Sequence, residues 1–382
     1  MNVLFVANDP NIFIQGSATR KRMLSYASQF TTLHIVSRSP KKIDIESTDG
    51  NLVLHGMATG RLATIKTLAK KTHELILSEH IDVVSAQDPF EHGRAAMLAV
   101  AGTPAKLHIQ VHTDFLSPWF IKGAVFRSPK VPVPVLNRVR RRIADEVLPK
   151  ADGIRTVSER VRDSLVARYG ASIKTPSVIP IAVPAGEVAK VELPPHPFPF
   201  AFMTVSRLEP EKRLEDVITG FASFKDRYPA AGVMIVGEGR ERASLQDLVV
   251  RLGLMGRVIF LGDRPDARGL MQSAQCFVQA SAYEGYGLTL IEAALARVPI
   301  ITTDVGIVGE VFKGYEDVLA APPGDPAALA LNMIGVLEDN ATREVLVRNA
   351  ELKAKAHLAQ YTDQPGLVAS DLMALAGGST PV

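Results

Sequence analysis

The chain has 382 residues, 47% of them hydrophobic and 22% charged, with a net charge of +3, which is more length than one core supports and implies two domains. A single cysteine, Cys276, excludes an internal disulfide framework and a cysteine-rich zinc site, and no apolar run approaches the ~18 residues of a membrane span. The net charge hides an asymmetry: residues 1–186 hold 25 Lys and Arg against 15 Asp and Glu, and the remainder 18 against 25, so the two halves are expected to meet different partners.

The first residues, MNVLFVANDPNIF, carry no basic leader and reach Asn8, Asp9 and Pro10 after five apolar residues, too short for a secretory signal. A cytoplasmic protein is expected, at most peripheral at the inner face of a membrane. Short β-branched runs then alternate with helical patterns, as in a parallel sheet. In the first half the strands are expected at NVLFVAN, TTLHIVS, NLVLHGM, DVVSAQD, KLHIQVH and GIRTVS. Basic residues gather at Arg20–Arg22, Lys66–Lys71 and Arg138–Arg142, either on solvated helix faces or against an anionic surface. The stretch SPWFIKGAVFRSPKVPVPVL, with Trp119, Phe120, Val125 and Phe126 among cations, favours a peripheral membrane contact.

A stretch with six prolines, Pro180 to Phe200, reads as a linker. A second strand series follows, FAFMTVS, GVMIVGE, RVIFLGD, CFVQAS and PIITTD. Cys276 belongs to one of these and reads as a small buried hydrophobe. From Asp325 onward the chain is helical, opening on an Asp cap with Pro at the first helical position. The domain limits expected from this are 1–184, a linker over 185–199, a second domain over 200–357, and a helical segment over 358–382 that returns to the first domain.

Ligands of such sheets bind outside the carboxyl ends of the strands, where loops lead into helices. There the strand FAFMTVS runs into RLEPEKR, setting Arg207 and Lys212 at a helix opening, a suitable cradle for a diphosphate; a surface ion-pair set with Glu209 and Glu211 is the ordinary alternative. In SAYEGYGLTLIEAALARVP, Glu284 and Glu292 stand eight positions apart, about 80° around an axis if all were one helix. Gly285 and Gly287 argue against that: Glu284 falls on a loop and the helix starts near Gly287. The N–H groups of Gly287, Leu288 and Thr289 can then reach phosphates, while the two carboxylates accept from sugar hydroxyls. A loop acid and a favourable helix-dipole contact are the alternatives.

These features, together with VGEGRERASL, RVIFLGD, PIITTDVG and PPGDPAALA, stand in the order and spacing of retaining glycosyltransferases of family four, which the chain resembles over Phe200 to Leu337. Before Phe200 the resemblance continues in NVLFVAND with Gly16, IQVHTD, ADGIRTVSERVRDSL and VIPIAV. The resemblance implies the α/β GT-B fold, two Rossmann-like domains facing each other across a cleft, and a metal-independent retaining hexosyltransferase that needs no cofactor besides its co-substrate. The donor is a UDP- or GDP-linked sugar, bound mainly by the second domain; the acceptor is a lipid-linked or growing saccharide. Arg207 and Lys212 would stabilise the leaving diphosphate, Glu284 would contact the transferred sugar and Glu292 the ribose. Gly285, Gly287, Leu288 and Thr289 would complete the donor site. His112 would close over the sugar, and the loop of Gly16 would approach the phosphates.

The sequence departs from the family pattern at Ser17, at IPIAV and at Arg297, positions where glycine or Asn-Gly is usual. Other readings are a sugar-nucleotide epimerase or phosphorylase of the same fold and a nucleic-acid-binding protein using the basic half, although no reader motif is present. A nicotinamide dehydrogenase is a further one, but VGEGRE places Arg242 at the third glycine of that fingerprint.

Overall fold

The computed structural model describes residues 1–41, 43–60, 63–122, 133–183, 186 and 188–377. They form two compact units, Met1–Leu116 with Val135–Pro180 and Asp363–Val382, and Ser117–Pro134 with Ile181–Thr362.

The sheet of the first unit contains β1 (Asn2–Ala7), β2 (Thr32–Arg38), β3 (Ile45–Asp49), β4 (Leu52–Met57), β5 (Val83–Ala86), β6 (Lys106–Val111), β7 (Gly153–Thr156) and β8 (Ser177–Val178), in the order β3-β4-β2-β1-β5-β6-β7-β8. All neighbours run parallel except β3 with β4. Val3 of β1 stands opposite Leu33 on one side and Val83 on the other. Helices cover both faces of a parallel sheet, so its inner strands are continuous apolar runs; all four residues of β5 are buried. The edge strand β3, IESTD, alternates half-buried and exposed positions, and its charges hid it from sequence reading. Charged residues on an edge also discourage pairing with another chain.

The second unit holds β9 (Phe200–Val205), β10 (Ala231–Val236), β11 (Val258–Gly262), β12 (Cys276–Val278), β13 (Ile300–Thr303) and β14 (Leu319–Ala321), all parallel, in the order β11-β10-β9-β12-β13-β14. Its core gathers Phe202, Val233, Ile235, Val278 and Ile301 with Phe221, Leu329 and Met333 from the covering helices. Cys276 is fully buried in β12, and burial pushes its thiol pKa up. The helix Pro326–Glu338 opens as expected, with Asp325 Oδ1 accepting from the Ala328 N–H at 2.9 Å.

Strand order reverses at β1/β5 in the first sheet and at β9/β12 in the second. At such a switch point neighbouring loops diverge above and below the sheet and leave room for a ligand. The loops carrying Arg207, Lys212 and Glu284 follow β9 and β12.

The C-terminal helices divide between the two units. The helix Gln364–Leu375 sets Val368, Ala369 and Leu372 into the core of the first unit beside Phe5, Leu33 and Val83, whereas the preceding helix Asn340–Ala359 belongs to the second unit. Trp119 and Phe120, read with the first domain, group with the second unit: Trp119 lies under the Arg213 guanidinium at 5.2 Å, and Phe120 packs edge-on against Tyr283 at 5.7 Å. The proline-rich stretch is also docked rather than a loose tether. Val191 N–H donates to the Gly269 carbonyl at 3.1 Å, Gln272 Nε2 donates to the Val188 carbonyl at 2.7 Å, and Phe198 is buried.

Candidate active site

The loop after β9 passes through a short 3-10 turn, Pro210–Lys212, into the helix Leu214–Ala222. Arg213 joins them with a left-handed φ of 47°, a conformation costing a non-glycine residue about 1–2 kcal/mol. A bidentate pair with Asp216, at 2.6 and 2.8 Å, holds it there. Lys212 is thereby turned toward the loop after β12, where its Nζ lies 2.5 Å from Glu284 Oε1. The same oxygen accepts from Gln279 Nε2 and Ser281 Oγ, each at 2.8 Å. Both side chains of the ion pair are largely enclosed, 17% and 15% exposed. Sequence reading gave Lys212 and Glu284 separate tasks, but the structure makes them partners. Arg207 is different: it is 72% exposed and its Nη2 donates to Glu211 Oε1 at 3.1 Å, which is the surface ion-pair alternative.

The glycines of VGEG explain why these loops meet. A Cβ on Gly237 would stand 1.9 Å from the Ser206 carbonyl oxygen, and one on Gly239 would stand 2.4 Å from that of Leu208. The two glycines let the chain after β10 lie directly on the SRL segment, with Leu208 N–H donating to the Glu238 carbonyl at 2.9 Å and Glu241 N–H to the Leu208 carbonyl at 3.0 Å. They position the Arg207–Lys212 loop, so the dinucleotide fingerprint has no place here. The hydroxyl of Ser206, in the same loop, is buried without a partner.

Glu284 sits on a loop, and the helix Leu288–Leu295 starts after Gly287, whose φ is 97°. No side chain caps this helix start, and Leu288 and Thr289 are half-buried. Gly306 holds the loop from beside it: a Cβ there would lie 2.3 Å from the Tyr286 carbonyl oxygen, which accepts from Ile307 N–H at 2.9 Å. Glu292, one turn into the helix, does not share partners with Glu284. It lies 3.9 Å from Arg268 Nε and borders a depression of about 440 Å³ together with Arg268, Gln272 and Lys355. Burial raises its pKa and Arg268 opposes the rise. Arg297, where the family favours glycine, has a φ of 60°, so the backbone explains the preference. Ser17, another departure, accepts at Oγ from Arg20 N–H at 3.1 Å and caps the helix Ala18–Ala27. Gly16 precedes it with a φ of 75° and no atom within 4 Å of a Cβ position.

In the first unit His112 follows β6 and is half-buried. Desolvation, with Arg155 and Arg22 repelling a second proton, pushes its pKa down to about 3. In the loop after β5, Asp88 accepts from Phe90 N–H at 2.8 Å through Oδ1 and meets His92 Nδ1 at 2.5 Å through Oδ2; those donors keep its carboxyl below the usual range despite burial. Gln110 Oε1 lies 3.1 Å from His112 Nε2 and 2.9 Å from Arg155 Nη1, so the residues missed from the sequence are Gln279, Ser281, Gln110, Arg155, Asp88 and His92. Their signal was a polar side chain inside an apolar strand or at its end, as in CFVQAS and HIQVH.

The basic clusters are partly neutralised. Arg20 is buried and donates to Asp49 Oδ2 at 3.1 and 3.0 Å, Lys71 pairs with Glu46 at 3.0 Å, and Arg140 with Glu91 at 3.0 Å. Trp119 and Phe120 pack inside the second unit rather than forming a surface patch, while Val125 and Phe126 lie outside the described residues. The helix Val133–Val147 does expose Val135, Leu136 and Val139 beside Arg138 and Arg142. Among the described residues no helix is long and apolar enough to cross a membrane, and no group of three His, Cys, Asp or Glu is placed to hold a metal ion.

Comparison with known proteins agrees with these features. The family Glycosyl transferases group 1 matches residues 190–353, and Glycosyltransferase Family 4 matches residues 32–186. Glycogen synthase of Mycobacterium tuberculosis is 27% identical over 217 residues, 56% of this chain and 52% of that protein; the chain spans about half the length of the curated relatives it matches. Sucrose-phosphate synthase from Thermosynechococcus elongatus superposes with a TM-score of 0.79 at 18% identity, covering 98% of this chain and 99% of that one. Anabaena HepE in complex with UDP-glucose does so with a TM-score of 0.71 at 19% identity, covering 97% and 99%. With its two parallel-sheet α/β units, the chain has the GT-B fold and belongs to the family 4, group 1 glycosyltransferases.

Proposed function

We propose that the protein transfers a hexose from a UDP- or GDP-linked donor to an acceptor hydroxyl with retention of anomeric configuration. The observation that carries this reading is the meeting of Lys212 and Glu284 at the β9/β12 switch point. A cation enclosed there can shift from a carboxylate to a departing diphosphate, and the uncapped helix start at Leu288 and Thr289 adds N–H dipoles. Charge builds on the phosphate oxygen as the sugar–phosphate bond breaks, so fixed positive groups lower the barrier. Arg207, exposed and paired with Glu211, is the second cation, and with two such charges no divalent ion is required. Glu284 contacts the sugar, Glu292 the ribose, and the backbone at Gly285 and Gly287 keeps the loop close to the donor. By resemblance to the family, His112 and the Gly16 loop also act on the donor. The acceptor oxygen forms the new bond on the face that the diphosphate leaves, and its proton passes to a phosphate oxygen.

A lipid-linked or growing saccharide is the proposed acceptor, supported by the helix Val133–Val147, whose exposed valines and leucine flanked by Arg138 and Arg142 suit an anionic bilayer. UDP-glucose is bound in the HepE structure, which supports a nucleotide-sugar donor here. The test is a thermal-shift panel of UDP, GDP and ADP and their sugars, since a ligand stabilises the native state by mass action, followed by product analysis with a labelled sugar. Transfer with retention supports the reading; stabilisation by none of the nucleotides removes it.

A further inference from the structure

The buried groups behind His112 form one hydrogen-bonded chain, and a single residue sets its direction. Arg155 on β7 is 2% exposed, and a guanidinium can only donate. Its Nε and Nη2 donate to the Ile179 carbonyl at 2.9 and 2.8 Å, and Nη2 also donates to the Pro180 carbonyl at 3.0 Å. Its Nη1 is 2.9 Å from the Gln110 side-chain amide, so the amide atom facing it is the oxygen. That same oxygen lies 3.1 Å from His112 Nε2; the ring nitrogen must therefore carry the proton, and Nδ1 is left with the lone pair. On the other side Gln110 Nε2 can only donate, and it does so to Ser85 Oγ at 3.0 Å. Ser85 Oγ is in turn 2.8 Å from His108 Nδ1, and His108 Nε2, which faces the Asp371 carboxylate at 3.1 Å, carries a proton. Gln110, Ser85 and His108 are buried, so water does not compete for the inner links.

We propose that Arg155 and Gln110 are positioning residues that hold His112 as the Nε2–H imidazole, presenting Nδ1 as an acceptor for a hydroxyl of the bound sugar. An imidazole in this form accepts from a hydroxyl at Nδ1 and cannot donate there to a phosphate. The charged groups around the ring agree: Arg155 and Arg22 oppose protonation more than Asp88 favours it. The use of the imidazole in transfer rests on the function proposed above, whereas its tautomer does not.

The test uses full-length protein with 15N-labelled histidine, His112→Gln serving to identify the signal. The His112 ring is expected to show the neutral Nε2–H pattern, unchanged from about pH 8 to about pH 6. Replacing Arg155 would also remove both side-chain donors of the Ile179 carbonyl, so Gln110 is the better perturbation. Gln110→Met releases the ring to a mixture of tautomers and lowers kcat by about tenfold, with KM within about twofold. Gln110→Glu keeps the shape, but its carboxylate favours the imidazolium, so His112 titrates in the neutral range and activity rises with pH through that titration. Ser85→Ala alters the His108 signal and leaves His112 in its Nε2–H form. An Nδ1–H ring in the wild-type protein, or a Gln110→Met protein with unchanged tautomer and kcat, overturns the assignment. If the wild-type ring is as expected but no sugar leaves any nucleotide sugar, the transfer reading fails and the assigned use of the imidazole fails with it, while the lock itself is measured and stands.

Discussion

The Lys212–Glu284 pair offers the sharpest test, because removing its second charge should restore stability without restoring turnover. At 2.5 Å and an effective dielectric of about 20, the Coulomb attraction is about 6–7 kcal/mol, most of which is offset by desolvating two largely enclosed charges. Lys212→Met leaves the Glu284 carboxylate with Gln279 and Ser281 as neutral donors. Breaking a buried pair costs about 3–5 kcal/mol, and with two donors remaining the loss should sit near or below the lower end. Glu284→Gln in the same protein removes the stranded charge, so the double variant should regain much of the stability. Turnover should not follow: without a cation at the leaving diphosphate the barrier rises by ~3 kcal/mol, roughly a hundredfold in rate, in single and double variants alike. The assay pairs urea unfolding with initial rates of sugar transfer. Near-normal turnover in both Lys212→Ala and Arg207→Ala would refute the argument. So would a double variant whose rate recovers along with its stability, since Lys212 would then be a structural partner only.

Gly239→Ala brings a methyl against the Leu208 backbone and should cost about 1–3 kcal/mol, with a fall in turnover because the Arg207–Lys212 loop is displaced; unchanged melting and rate would show that the close approach has no role. His34, His55, His112 and His357 all have pKa values lowered chiefly by burial. The unfolded chain therefore binds more protons than the folded one below the ordinary histidine range, and stability should fall as pH drops from about 6.5, by up to ~1.4 kcal/mol per pH unit for each such group. Urea unfolding at several pH values measures this, and a flat profile between pH 7 and 5 contradicts it. Flotation with anionic vesicles at low salt should carry the protein, and Arg138→Glu with Arg142→Glu should release it, since each basic residue near the leaflet contributes about 1 kcal/mol; no binding at low salt removes the membrane proposal.

Most of the fold was legible because parallel strands buried on both faces are written as apolar runs, and a run such as NVLFVA or GVMIVG needs no partner to be recognised. The polar edge β3 and the short strands β8 and β14 were not legible, since their pairing is a property of the neighbour rather than of their own residues. Order and spacing also settled the family, and the glycines at Gly285 and Gly287 separated Glu284 from the helix of Glu292. What only the tertiary structure decided was which side chains meet. Lys212 and Glu284 are 72 residues apart in sequence and 2.5 Å apart in space, brought together because β9 and β12 are neighbours at the point where strand order reverses. Likewise the direction of the chain from Arg155 to His112 follows from donors and acceptors that β5, β6 and β7 place side by side. Local pattern encodes which elements form; a contact between loops depends on sheet order and register, and those come from packing the whole domain.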